Sequence, residues 1–175
     1  EAQHDIIARP GTPLRWLNQL IGHVSTIPLL LPYSVAKLTH MEHHKHTNHP
    51  ELDPDIHTKA DNSLQFLINS IASRQPNGRG NRTYSEALAR LGTPDVMRAQ
   101  LEALAMQLAY LAILFTAAWT GHAIEAALLW WLPKHLAQTY IGYYLSWAPH
   151  HPAKETGRYR DTRGFKSLVG NIGSM

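Results

Sequence analysis

The sequence predicts an all-α protein that is embedded in a membrane by one transmembrane helical hairpin, with interfacial helices and a histidine-rich cap on the cytoplasmic side. Apolar residues recur every three or four positions, and no alternating pattern typical of a strand lasts. Residues 101–147 carry only three charged side chains, those of Glu102, Glu125 and Lys134. Clusters of histidine lie at the ends of the apolar stretches.

Proline residues mark the first helix boundaries. Thr12-Pro13 predicts a helix start, with threonine as the N-cap and proline at the first helical position. The helix that follows over 14–27 is interrupted by Pro28 and Pro32. A second helix is predicted from Tyr33 to about His46.

The middle of the chain alternates between short helices and polar connections. We predict a turn over 48–55 (NHPELDPD), a short helix over 63–73 and a flexible polar loop over 74–83 (RQPNGRGNRT). A helix over 85–91 should end at Gly92, and Thr93-Pro94 starts the next one by the same capping logic as Thr12-Pro13.

The most apolar region supplies the two predicted spans, since a spanning helix needs about 20 residues. The first span covers 101–119, a turn follows at 120–122, and the second span covers 124–147 with a kink near Pro133. Lys134 and His135, which interrupt the second span, either reach toward the far face or line a cavity; the sequence leaves both open.

The composition limits which kinds of metal site and which kinds of partner the protein can have. The absence of cysteine excludes disulfides, thiolate metal sites, iron–sulfur clusters and thiol catalysis. A metal site must therefore use imidazole and carboxylate, which suit iron, zinc or manganese. The net charge of +3 comes from basic residues concentrated in 74–98 and 154–166, on either side of the apolar run. Basic loops that flank apolar spans favour a lipid bilayer as the partner rather than a nucleic acid.

One helix face carries the strongest chemical signal. His40, His43 and His44 are three and four residues apart, so their imidazoles lie about one turn from each other on the same face. This arrangement suits a metal ion with several nitrogen ligands; chance clustering on a solvated face is the alternative. His46 lies further round the helix and either supports a ligand or faces solvent. His49, in the turn, is interpreted as structural.

Two more histidines complete a recognisable pattern. His4 lies in Glu-Ala-Gln-His-Asp near the start, and His150 follows the apolar region in Ala-Pro-His-His-Pro. In this order the set resembles the membrane fatty acid desaturase and hydroxylase superfamily, which carries HxxxH or HxxxxH, then HxxHH, one further ligand beyond the hairpin, and a late HxxHH. His4 matches the second histidine of the first box, His40, His43 and His44 match the second box, and His150 matches the further ligand.

The resemblance covers nearly the whole chain, so we expect a single, partial desaturase-like domain over 1–175. The stretches 40–55 and 148–163 look closest to bacterial desaturase-like proteins and to cyanobacterial-type β-carotene hydroxylases. The late box is absent, although 170–175 resembles the run that leads into it. We therefore expect truncation at both ends, with a first-box histidine just before Glu1, and no activity from residues 1–175 alone.

The resemblance implies a mechanism and its partners. His4, His40, His43, His44 and His150 would be ligands of two iron ions, with O2 as co-substrate. A lipid acyl chain would be desaturated or hydroxylated with electrons from a donor of the ferredoxin, rubredoxin or cytochrome b5 type.

Two carboxylates follow the second histidine box. Asp53 and Asp55 could orient ligand imidazoles, or they could simply form the turn.

Chain length gives a check on topology. Only 35 residues separate His4 from His40, too few for two crossings and a turn, so 14–38 should lie in the interface or dip into the bilayer. Residues 101–147 are long enough to cross twice and return His150 to the same side. Because that side also receives the basic loops, the histidine-box cap is predicted to be cytoplasmic, at a bacterial inner membrane.

Two alternatives stay open. A carotenoid hydroxylase or ketolase would use the same metal site on a longer, rigid substrate. A non-catalytic membrane metal-binding protein is the alternative of another class. A transporter should place its ligands within the spans, where only His135 lies, and a haem protein needs one or two axial histidines rather than a face of three.

Overall fold

The computed structural model describes residues 15–75, 77–92 and 94–151. Every regular element in these ranges is helical, which confirms the all-α prediction. The predicted caps at Thr12 and Thr93 lie outside the described residues. The described chain divides into two compact units, one formed by 15–36 with 97–134 and the other by 37–96 with 135–151.

The first helix ends and the second begins where Pro28 and Pro32 predict. Helix α1 spans Arg15–Thr26 and continues into a 3₁₀ turn at Ile27–Leu29, and α2 spans Tyr33–His46. Gly22 of α1 packs directly on the Tyr33 ring, which a Cβ at that position would overlap. One face of α1 exposes apolar side chains, those of Trp16, Leu20, Ile21 and Val24. An exposed apolar face suits the predicted interfacial position, which stays a prediction.

The predicted turn after α2 is present and leads into a short helix. Asn48 adopts a left-handed conformation with φ +63°, which asparagine tolerates better than most residues and which ends α2. A 3₁₀ helix follows at Pro54–Thr58. Asp53 caps it, because its carboxylate accepts a hydrogen bond from the Asp55 N–H at 2.9 Å.

Two further helices pack around this turn. Helix α3 spans Ser63–Ser73 and is capped by Asn62, whose side chain accepts from the backbone of Gln65. Its Phe66 is fully buried, with ring contacts to Tyr143 and Trp147.

Helix α4 spans Arg79–Leu91 and ends at Gly92, whose φ of +57° suits glycine. The prediction of a loop over 74–83 is therefore wrong from residue 79 onward. Polar residues and glycine obscure the start of this helix in the sequence, but Thr83 in its second turn makes tertiary contacts to Pro54 and His57.

The apolar region forms one long helix, a turn and a segmented helical run. Helix α5 spans Pro94–Trp119, and the turn that follows contains Gly121 with φ +83°. The run then consists of α6 (Ala123–Ala126), a π-helical segment (Ala127–Trp131), α7 (Leu132–Ile141), a second π-helical segment (Gly142–Trp147) and a 3₁₀ turn (Ala148–His150). The predicted irregularity near Pro133 coincides with the first π segment, because proline cannot donate the regular helical hydrogen bond.

Helix α5 is the one helix in the described part of the chain that is long and apolar enough to cross a membrane. Its most apolar 18-residue stretch has a mean hydropathy of 1.7, and only 6% of that stretch is buried. The core helix of a soluble protein would instead be mostly buried. The second predicted span is divided into shorter segments, so the transmembrane hairpin remains a prediction.

The charged and polar residues of the second predicted span have identifiable contacts. The Lys134 ammonium lies 5.2 Å from the centre of the Tyr110 ring, at cation–π distance. The backbone carbonyl of His135 accepts a hydrogen bond from the Arg74 guanidinium at 3.1 Å. Arg74 also donates to the Thr139 hydroxyl at 2.6 Å, which ties the end of α3 to α7.

Candidate metal centre

Helix α2 brings three histidines together as the spacing predicts. The Nε2 atoms of His40 and His44 are 3.0 Å apart, and their ring centres are 4.5 Å apart. The His43 ring lies 6.0 Å from that of His40 and 5.7 Å from that of His44. His40 and His44 are exposed, whereas His43 is buried with 4% of its surface accessible.

A fourth histidine reaches this cluster from the other end of the unit. His150 follows His43 by 107 residues, yet their Nε2 atoms are 3.2 Å apart and their ring centres 4.9 Å apart. The described structure therefore brings together four of the five predicted ligand residues. The fifth, His4, lies outside the described residues.

The orientation of His43 is set by a carboxylate. Its Nδ1–H donates to Asp53 Oδ1 at 2.7 Å, which leaves the Nε2 lone pair directed toward His150. Asp53 is itself held, because its two oxygens accept the backbone N–H groups of Asn48 and Asp55 at 2.8 and 2.9 Å. Asp55 is more distant, with Oδ2 at 3.9 Å from His43 Nδ1.

The remaining histidines near α2 have other surroundings. His46 pairs with Glu42 at 3.8 Å and packs against the His49 ring, so its described neighbours are not the clustered imidazoles. The Nδ1 atom of His49 accepts the backbone N–H groups of Glu51 and Leu52, each at 3.2 Å. His49 therefore shapes the turn, as the sequence interpretation held.

Sequence reasoning missed the residues of α4 that border the site. The Tyr84 hydroxyl donates to Asp55 Oδ1 at 2.8 Å, and the Thr83 hydroxyl donates to the Pro54 carbonyl at 2.7 Å. The buried His57 also donates through Nδ1 to the Pro54 carbonyl, at 2.9 Å. One sequence signal could have revealed this face, because Tyr84 is three and four residues from the buried Ala87 and Leu88.

A cavity of about 320 Å³ opens beside the His43–His150 pair. Its lining combines acidic, imidazole and aromatic side chains, including those of Asp53, Asp55, Asp61, Trp147 and His151. Trp147 is buried and its ring stacks on His151 with centres 4.4 Å apart. The cavity therefore gives access to the two imidazoles from a mixed polar and aromatic surface.

The distances between the histidine nitrogens can be compared with those expected in a metal site with imidazole ligands. Two nitrogen ligands at about 2.1 Å from one ion and at right angles to each other are about 3 Å apart. Both Nε2 pairs have this separation. Within the described ranges, no three histidine or acidic side chains converge on one point that suits a metal ion. Each of the two pairs, His40 with His44 and His43 with His150, therefore has the spacing to supply two nitrogen ligands to one metal ion.

The family model for fatty acid desaturases matches residues 1–173. The chain belongs to the fatty acid desaturase family.

Curated relatives match a shorter stretch of this desaturase-family chain. An sn-1 oleoyl-lipid 12-desaturase from Anabaena variabilis is 42% identical over 52 residues, which are 30% of this chain and 14% of that protein. An sn-1 acyl-lipid omega-3 desaturase (ferredoxin) from Nostoc sp. (strain 36) is 40% identical over 50 residues, 29% of this chain and 14% of that protein.

A Delta(12) fatty acid desaturase from Caenorhabditis elegans is also similar, at 42% identity over 50 residues, or 29% of this chain and 13% of that protein. The matched stretch spans about one seventh of the length of these relatives. No solved structure matches the chain.

The buried His57 should make stability depend on pH. Burial lowers its pKa below 6.5, more than the nearby Asp55 raises it. Protonation therefore favours the unfolded chain, and the free energy of unfolding should fall as the pH decreases through about 6.5. We expect His57→Asn to make this fall smaller in chemical denaturation of the metal-free protein. His122→Asn, at an exposed side chain, is the control; equal falls for both variants and the parent would contradict the assignment.

Proposed function

We propose that the complete protein is an O2-dependent oxidoreductase that desaturates a lipid acyl chain at a histidine-ligated centre of two irons. The observation that supports it best is the pair of close Nε2 contacts, His40 with His44 and His43 with His150, in a chain of the fatty acid desaturase family. The same residues occupy the positions of the superfamily's histidine pattern. Hydroxylation of the same chain is the closely related alternative.

The residues that would hold iron are His40, His43, His44 and His150, together with His4. When bound, the irons supply O2 reduction and the oxidising power to remove hydrogen from an unactivated C–H bond, which acidic and basic side chains lack. The protein's contribution is to place and orient the ligands. Asp53 keeps the proton on His43 Nδ1, so that Nε2 is the nitrogen that would bind a metal.

Metal analysis tests the proposed centre. Full-length protein should contain about two irons per chain, and His43→Ala should lose most of this iron because a buried ligand and its hydrogen bond to Asp53 disappear. His122→Ala is the matched control, since His122 is exposed in the turn after α5. Zinc alone, or a haem absorption band, would instead support a non-catalytic metal-binding protein and contradict the oxygenase.

The relatives favour an acyl lipid as substrate, since all three described above are named oleoyl-lipid, acyl-lipid or fatty acid desaturases. One relative's name includes ferredoxin, which supports an electron donor of that type here over rubredoxin or cytochrome b5. A carotenoid substrate is the alternative.

Product analysis separates the two substrate classes. A host that expresses the complete protein should accumulate acyl chains with additional double bonds, detectable by gas chromatography and mass spectrometry. The His43→Ala variant should produce none, because the proposed site loses a ligand. Hydroxylated or ketolated carotenoids without new unsaturated acyl chains would overturn the acyl-lipid proposal.

We also propose that α5 crosses the membrane and that the histidine-bearing unit faces the cytoplasm. The cysteine-free sequence permits a direct test with single cysteines. Leu108 on α5 is 58% exposed in the fold, and Ser85 on α4 is also exposed. In inverted vesicles, a membrane-impermeant maleimide should label Ser85→Cys but not Leu108→Cys, because lipid should cover Leu108.

After full solubilisation in SDS, both cysteines should react. In intact cells Ser85→Cys should be protected, whereas His122→Cys in the turn after α5 should be labelled. Equal labelling of Leu108→Cys and Ser85→Cys in inverted vesicles would contradict membrane insertion of α5. Labelling of Ser85→Cys in intact cells would contradict the cytoplasmic orientation.

A further inference from the structure

We propose that Tyr84 is a positioning residue of the metal centre: its hydroxyl holds the Asp55 carboxylate in place and thereby keeps His43 bonded to Asp53. This inference rests on the proposed function, because it takes His43 to be a metal ligand. Tyr84 lies on α4, outside every motif of the histidine pattern.

The contacts form a continuous chain from α4 to the imidazole. The Tyr84 hydroxyl donates to Asp55 Oδ1 at 2.8 Å, and the other oxygen of Asp55 faces His43 Nδ1 at 3.9 Å. The same Nδ1 donates to Asp53 at 2.7 Å. Two carboxylates therefore flank one N–H group, and Tyr84 holds the more distant of them.

Tyr84 differs in kind from the other α4 side chains that contact this turn. Thr83 donates to the Pro54 carbonyl at 2.7 Å, and the Arg90 guanidinium donates to the Leu52 carbonyl at 2.9 Å. Both bind backbone atoms and so fix the path of the turn. Tyr84 binds a carboxylate that faces the imidazole, so its loss should alter the site while the turn keeps its other attachments.

The phenol is suited to act as a permanent donor. Burial, with the negative charges of Asp55 and Asp53, raises the pKa of Tyr84 well above 10, so the hydroxyl stays protonated at neutral pH. A hydrogen bond from a hydroxyl to a carboxylate is stronger than one between neutral groups. Without it, Asp55 would be free to rotate and to compete with Asp53 for the His43 N–H. The ring would then turn, and its Nε2 atom would no longer be held toward His150.

A matched pair of tyrosine variants isolates the hydroxyl. Tyr84→Phe keeps the aromatic ring, which packs edge-on against His57 with centres 5.4 Å apart, and removes only the donor. Tyr143→Phe makes the same chemical change where the hydroxyl contacts a neutral partner, Ser63, at 3.1 Å. Asp55→Asn provides the second member of a double-mutant cycle with Tyr84→Phe.

The experiment titrates Co²⁺ into metal-free, full-length protein and follows the visible absorption of the bound ion, with the thermal unfolding midpoint of each metal-free variant measured in parallel. Loss of a group that orients a metal-bound imidazole typically weakens metal affinity about 10- to 100-fold. We expect a loss of this size for Tyr84→Phe and none for Tyr143→Phe, with similar unfolding midpoints. The double variant Tyr84→Phe/Asp55→Asn should bind Co²⁺ no more weakly than Asp55→Asn alone, because both changes break one linkage.

Four results would overturn the inference. Equal Co²⁺ affinity of Tyr84→Phe and Tyr143→Phe would show that the hydroxyl does not act on the metal. A much lower unfolding midpoint for Tyr84→Phe, or additive losses in the cycle, would indicate a merely structural role. Failure of the parent protein to bind Co²⁺ would refute the proposed centre itself. If the parent binds Co²⁺ and the two tyrosine variants bind it equally well, only the role of Tyr84 is refuted.

Discussion

The hydrogen bond between the buried His43 and Asp53 is the constraint on which the candidate centre depends. An imidazole inside the fold needs a partner, and the carboxylate provides one at 2.7 Å. The carboxylate is in turn held by two backbone N–H groups of the turn, those of Asn48 and Asp55. As a result, the end of α2 and the turn after it are held together, and Nε2 of His43 lies 3.2 Å from Nε2 of His150.

That segment is supported from outside by α4, a helix whose first residues, 79–83, the sequence predicts as part of a loop. Its Thr83 hydroxyl binds the carbonyl of Pro54, and its Tyr84 hydroxyl binds the carboxylate of Asp55. The family pattern contains the histidines and the turn but gives no sign of this support. A ligand set can therefore be complete in sequence and still depend on a helix that carries none of the ligands.

The outer surfaces agree with a lipid environment for this desaturase-family chain. Helix α5 leaves most of its apolar length exposed, and α1 exposes Trp16, Leu20 and Val24. Such exposure is costly in water and favourable in lipid.

The sequence by itself determined the helical class, the bounds of α2 and α3, and the grouping of His40 with His44. These features depend on proline breaks, helix caps and helical spacing, which act over only a few residues. Only the tertiary structure decided that His150 meets His43, that Asp53 rather than Asp55 takes the closer hydrogen bond, and that Tyr84 borders the site. These contacts join residues 107, 10 and 29 positions apart. They depend on how the turn and the helices pack, which local propensity does not specify.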